Sequence, residues 1–263
     1  MIWNTYPKLS YLYIFFLIYA YPHVTWAKKI TFSTADEFFL DTPVTTPYER
    51  VTLDFHSFHS RTKNGSTTNT PALVANVGVY PDVQAYAVIP ATLAAPNHGS
   101  RHYGYGDVKL GLKYRFVHET ETLPSIALYP KITFPSGESD KGLGNGTCIG
   151  RFPLWMQKTW DKWRVTTGGG YFVNPAKGER NYPFGGVLIQ LQITKYFMLG
   201  NEFVGVGKIN AHNKAKLISN FGGSYFFNSH SFLAFSIGHS IAGAKNFVAF
   251  LGYGIAWGPL TDP

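Results

Sequence analysis

Residues 104–119 read Gly-Tyr-Gly-Asp-Val-Lys-Leu-Gly-Leu-Lys-Tyr-Arg-Phe-Val-His-Glu, and their alternation decides the fold. Val108, Leu110, Leu112, Tyr114 and Phe116 fall on one side, while Asp107, Lys109, Gly111, Lys113 and Arg115 fall on the other. A period of two specifies a β-strand with one apolar and one charged face. After a polar break at 120–122, residues 124–134 repeat the pattern. There Ile126, Leu128 and Ile132 oppose Ser125, Tyr129, Lys131 and Thr133, and a glycine-rich run, 135–151, follows. In a soluble sandwich the apolar face turns inward. In a membrane barrel it meets lipid, and the charges face a wet lumen. This hairpin fits both, so its surroundings must choose.

Upstream of it the sequence predicts strands at 49–61, 72–80 and 83–92. Downstream it predicts them at 153–160, 163–173, 184–194, 197–207, 216–227, 231–239 and 246–257. With the hairpin this makes about twelve strands. Long polar connections (62–70, 94–103, 135–151, 174–181, 208–214) alternate with short ones (Pro81-Asp82, 120–122, Asp161-Lys162, Lys195-Tyr196, 228–230), and 240–245 leads into the last strand. A sandwich has no reason to sort loop length by parity, whereas an outer-membrane barrel has short periplasmic turns and longer outer loops. The expected fold is therefore all-β: a transmembrane antiparallel up-and-down β-barrel. Tyr80, Tyr103, Trp155, Trp160, Trp163, Tyr171, Tyr182, Tyr196 and Trp257 stand at strand ends and are candidates for the interfacial girdles.

Composition agrees. The chain has 263 residues, 17% of them aromatic and only 14% charged, and no apolar run beyond the N-terminus is long enough for a membrane helix. The single cysteine, Cys148, excludes an internal disulfide and any cysteine-cluster metal site. A formal charge of +8 would suit nucleic acid, but the Lys and Arg stand singly on alternating strands rather than in a block, so no nucleic-acid partner is expected.

The N-terminus reads as an address. Lys8 precedes the apolar stretch 9–20, and Thr25-Trp-Ala27 offers small residues where a signal peptidase reads, so residues 1–27 are expected to be a cleavable signal peptide. Residues 28–47, broken by Pro43 and Pro47, lack alternation and form a periplasmic lead-in or a plug. The barrel is expected over 48–258. Its last strand alternates and ends on Trp257, a pattern that the barrel-assembly machinery reads, although a C-terminal extension, 259–263, runs past it. A signal peptide followed by amphipathic strands points to the outer membrane of a Gram-negative cell, with outer-membrane lipid as the surrounding partner.

Gly106-Asp-Val-Lys-Leu-Gly-Leu-Lys-Tyr-Arg-Phe116 and Pro130-Lys-Ile-Thr-Phe-Pro-Ser-Gly137 resemble segments of the outer-membrane barrels named for the MetA pathway of phenol degradation. Lys141-Gly-Leu-Gly-Asn-Gly146, Pro153-Leu-Trp-Met-Gln-Lys158 and Gly168-Gly-Gly-Tyr-Phe-Val-Asn-Pro175 extend the resemblance, which covers about 41–257. It implies an outer-membrane transporter or channel. It brings no catalytic residues.

The candidate site is the lumen. Asp107, Lys109, Lys113, Arg115, Lys131, Gln190, Gln192 and Glu202 share the charged or polar faces of their strands. A surplus of Lys and Arg there favours anions or polar groups passing through a narrow basic pore. The competing reading is a structural or surface-exposed barrel whose loops bind partners, its lumenal charges paired into a ladder that fills the interior without conduction. Asp140, Lys141, Gly142, Gly144 and Gly146 belong to an outer loop expected to fold toward the entrance. The glycines could be mistaken for a nucleotide loop, but neither the following helix nor a βαβ context is present. A small-molecule solute is the expected ligand, with no cofactor or metal. His56 and His59 fall on opposite strand faces and make a poor metal pair. A third reading, a lipid acyl hydrolase, rests on His98 and Ser100 alone, in a stretch that reads as loop.

Overall fold

The computed structural model describes residues 38–262. The signal-peptide reading and the first part of the 28–47 segment lie outside the described residues. The ladder comprises β1 (Val51–Thr62), β2 (Gly65–Tyr80), β3 (Val83–Pro96), β4 (His102–Tyr105), β5 (Lys109–Val117), β6 (Ser125–Leu128) and β7 (Lys131–Thr133). It continues through β8 (Ile149–Trp160), β9 (Trp163–Val173), β10 (Tyr182–Thr194), β11 (Phe197–Val206), β12 (Lys216–Asn228), β13 (Ser231–Gly243) and β14 (Asn246–Trp257).

Two breaks divide continuous strands. Gly106 to Val108 separates β4 from β5, both of which pair with β3, and Tyr129-Pro130 separates β6 from β7, both of which pair with β5 and β8. Proline has no N–H to give the ladder, which accounts for the second break. Counting each pair as one strand, twelve antiparallel strands follow one another. β1 closes the ring on β14, from Val51 opposite Trp257 to Thr62 opposite Asn246. Closure leaves no unpaired edge among the described strands, the condition for spanning hydrocarbon with strands.

The alternation holds throughout. Leu110, Leu112, Tyr114 and Phe116 are 44–50% exposed and Leu128 and Ile132 are 46% and 43% exposed, while Lys113 and Lys131 are buried inside. In a closed ring the exposed apolar side can only be the lipid face. Among the described residues no helix is long and apolar enough to cross a membrane; the strands do the crossing.

The turns follow local chemistry. Pro81-Asp82 and Asp161-Lys162 each place an aspartate at positive φ, 64° and 49°, a conformation that Asp tolerates better than most residues. These turns, with 118–124, 195–196 and 229–230, mark the periplasmic end. The opposite end carries the longer connections 97–101, 134–148, 174–181 and 207–215.

Three expectations are corrected. The polar run 62–70 is not a long loop: β1 and β2 extend to a tight turn at Lys63-Asn64, with Arg61 opposite Ser66. β8 begins at Ile149, so the glycine-rich loop ends before Arg151. Trp155 is not a girdle residue but is fully buried inside the barrel, whereas Tyr80, Tyr103, Trp160, Trp163, Tyr171 and Trp257 are exposed.

Candidate functional site: a strap held in the lumen

Residues 38–47 enter the ring without regular structure and fill it. Phe38 and Leu40 pack among the inward side chains Val74, Val88, Tyr129, Trp155, Phe184, Leu188 and Val204, and Phe39 meets Phe58 edge-on, ring centroids 6.1 Å apart. Eight strands enclose a space that their own side chains fill, and 16–18 leave a channel. Twelve leave room for one extra segment, and this strap takes it.

Inward polar side chains hold the strap along its length. The Phe39 backbone N–H donates to both Glu202 oxygens at 2.9 and 3.0 Å, and the Leu40 N–H donates to Glu202 Oε2 at 3.1 Å. The Asn220 amide donates to Glu202 Oε1 at 2.7 Å, orienting the carboxyl group. Asp41 is gripped from two strands, by Lys131 Nζ at 2.7 Å and Arg151 Nη1 at 2.9 Å. Arg151 Nη2 also donates to the Phe39 carbonyl at 2.9 Å. Lower down, Lys113 Nζ donates to the Val44 carbonyl at 3.0 Å, and the Thr46 N–H donates to Gln84 Oε1 at 2.8 Å. Gln84 in turn donates to Asn76 Oδ1 at 2.6 Å.

The cations are backed by aromatic faces. Lys131 Nζ lies 4.5 Å from the Tyr86 ring centre and 4.1 Å from that of Tyr129. Lys113 Nζ lies 4.6 Å from Tyr129, and the Arg151 guanidinium 4.7 Å from Phe184. Each such cation–π contact contributes about 0.5–2 kcal/mol of attraction.

At the periplasmic end the chain is laced to the barrel. The Glu49 N–H donates to the Gly78 carbonyl and the Gly78 N–H to the Arg50 carbonyl, at 3.0 and 2.9 Å. The Tyr48 N–H donates to Asp262 Oδ1 at 2.7 Å, and Arg50 donates to the carbonyls of Gly258, Pro259 and Ser229. Arg115 pairs with Asp82, and His118 Nε2 lies 2.7 Å from the same carboxylate. Between Val44 of the strap and the wall residues Arg115, Ser125, Gln157 and Arg164 lies a cavity of about 600 Å³.

At the outer end, the 134–148 loop folds into the mouth. Asp107 accepts bonds from the Gly137 N–H at 3.0 Å and from the Asn145 N–H and side-chain amide, both at 2.7 Å. Leu143 is buried against the wall. Gly144 passes so close to the Asp107 carboxyl group that a Cβ there would collide with it. Gly142, with φ of 72°, ends the short turn Ser139–Lys141. Lys141 pairs with Glu138 at 2.6 Å, and that hydrogen bond raises the Lys141 pKa above its ordinary value.

The residues picked out from the sequence thus fall into separate groups. Lys113, Lys131 and Glu202 converge on the strap. Asp107 holds the loop. Arg115 sits at the periplasmic mouth. Lys109 faces inward from the outer half of β5, and Gln190 is fully buried on β10. The Gln192 amide donates to the Thr194 carbonyl near the turn. Asp140, Lys141 and Gly146 stay exposed in the loop, as do His98 and Ser100 in 97–101. Asp41, Gln84 and Arg151 are functional residues that the sequence pattern does not single out. The signal for Arg151 is its parity with Trp155 in a strand that begins at Ile149. Asp41 gives no periodic signal at all.

A closed twelve-stranded ring with an apolar belt, a polar and aromatic interior and its longer loops at one end defines an outer-membrane β-barrel of a Gram-negative cell. Residues 40–257 match the family described as "MetA-pathway of phenol degradation", and the chain belongs to it. Among solved structures, an outer membrane channel from Pseudomonas putida F1 is similar at 12% identity and a TM-score of 0.64, covering 81% of this chain and 97% of that one. The KdgM porin is similar at 12% identity and a TM-score of 0.55, covering 79% and 99%. The NanC porin follows at 10% identity and 0.55, covering 77% and 98%. At these identities the likeness is one of fold. No curated protein matches the sequence.

Proposed function

We propose that this protein is a passive outer-membrane channel for small solutes, with a narrow path between the strap and the barrel wall. The observation that carries this reading is how the strap is held. A ring wider than its own side chains can fill is occupied by a segment bound mainly through side-chain contacts, which solute and water can replace. A cavity of about 600 Å³ already opens beside it at the periplasmic end; that volume suits a small organic molecule. The family's association with aromatic degradation and the aromatic lining around Trp155 and Phe184 favour small aromatic or hydrophobic solutes. Surrounding outer-membrane lipid and the barrel-assembly machinery are the remaining partners in this reading.

Single-channel recording in planar bilayers tests it. The wild type is expected to conduct weakly. Replacing Lys109, Lys113, Arg115 and Lys131 with Gln is expected to move the reversal potential toward cation preference; an unchanged potential refutes their role. Liposome swelling with sugars, amino acids, aromatic acids and fatty acids then identifies the solute. The burial of the strap also favours a second reading, a structural barrel without conduction. Silence from both the wild type and a strap-deleted variant would carry that one. An acyl-ester assay with Ser100→Ala decides the hydrolase alternative.

A further inference from the structure

We propose that the Asp41 carboxylate occupies a lumenal binding site for a small organic monocarboxylate with an apolar body, so that the strap acts as a built-in competitor for the solute. This inference rests on the channel reading.

The site is assembled from the wall rather than from the strap. Lys131 on β7 and Arg151 on β8 are cross-strand partners in the ladder, and they bind the two Asp41 oxygens separately, at 2.7 and 2.9 Å. Two donors on two oxygens make a carboxylate receptor. Lys113 lies below, donating to the Val44 carbonyl. Three cationic side chains therefore converge on a strap that brings one carboxylate to them.

The walls define the rest of the ligand. Tyr86 and Tyr129 flank Lys131, and Phe184, Trp155 and Phe172 surround the guanidinium at 4.7–5.8 Å. Next to Asp41, the strap places Phe38 and Leu40 into the apolar cluster containing Trp155, Phe184 and Leu188. The occupant is thus a carboxylate flanked by aromatic and aliphatic groups. An inorganic anion would meet the charge but leave the apolar wall uncovered. A neutral aromatic would cover the wall but leave buried Lys131 and partly buried Arg151 without a counter-charge, which is unfavourable. A carboxylate on an apolar body satisfies both.

Titration calorimetry on the full-length barrel in detergent, with sodium 4-phenylbutyrate, tests the site. Removing a competitor raises apparent affinity by the inverse of the fraction of sites left open. Asp41→Asn is accordingly expected to bind phenylbutyrate about tenfold or more tightly than wild type. Neutral 4-phenylbutan-1-ol, which brings no counter-charge to Lys131 and Arg151, is expected to show no binding at this site in either protein, and the double variant Asp41→Asn/Arg151→Gln is expected to lose the gain. Equal phenylbutyrate affinity in wild type and Asp41→Asn overturns the proposal, and so does an equal gain for the alcohol. Heat-modifiable migration on gels establishes that each barrel is folded, and Asp41→Ser replaces Asp41→Asn should the latter not fold. Parallel bilayer recordings separate the two readings. A binding gain in a variant that never conducts refutes the channel and sustains the carboxylate site; conduction without the gain does the reverse.

Discussion

Glu202 illustrates what one inward side chain does here. Its carboxyl group accepts from two consecutive strap N–H groups and from Asn220, so the strap's backbone donors are satisfied by a wall residue. Glu202→Gln keeps one oxygen but turns an NH₂ toward the Phe39 and Leu40 donors. An unsatisfied buried donor costs about 1–3 kcal/mol, and the variant is expected to show more frequent opening in single-channel records; an unchanged record would separate Glu202 from strap control. Asp107 plays the same part for the outer loop. Asp107→Ala is expected to make 134–148 more sensitive to added protease, with intact barrel migration, and protection equal to wild type would contradict its tethering role. Parity alone put Lys113, Lys131 and Glu202 inside. It could not tell that their partners lie 69, 90 and 163 residues away along the chain, because contact with an irregular segment leaves no period in either sequence.

At the scale of elements, the strap and the ring are separable. The seam between β1 and β14 runs from Val51–Trp257 to Thr62–Asn246 without using residues 38–47. Deleting those residues is expected to leave heat-modifiable migration unchanged and to raise conductance several-fold or more; loss of the folded form would show that the ring needs its filling. The strands were most legible where one side meets lipid. Alternation fails beyond the membrane, where both sides are wet, and so the Ser/Thr/Asn stretch 62–70 read as a loop although most of it is ladder. Trp155 departs from expectation for the opposite reason. An aromatic at a strand end suits a girdle, yet its even spacing from Gln157 and Arg151 puts it inside, where it packs against Phe184 with ring centroids 6.0 Å apart.

For the whole molecule, the apolar belt is what commits the ring to a bilayer. Leu112 is 49% exposed and its neighbour Lys113 is buried, though they are adjacent in sequence. Leu112→Arg places a charge on the lipid face, where it costs about 2–4 kcal/mol near the midplane. Lys113→Met is expected to leave refolding into vesicles close to wild type while loosening the strap. Urea titration of vesicle-inserted protein measures both, and the account fails if Lys113→Met destabilises the barrel more than Leu112→Arg. The fold was readable from the sequence because every strand repeats the same two-sided rule. The site was only partly readable, since half of it, Asp41 and its neighbours, belongs to a segment obeying no rule of spacing.

The strap's two ends are fastened by different means. Beside Tyr48 it is stitched to the ring by main-chain bonds between residues 49–50 and Gly78, which no visiting molecule can imitate. Around Asp41 it is clasped by charged side chains, which a visitor can win over. The lower end is therefore the hinge and the upper end the latch, and a molecule arriving from outside the cell reaches the latch first.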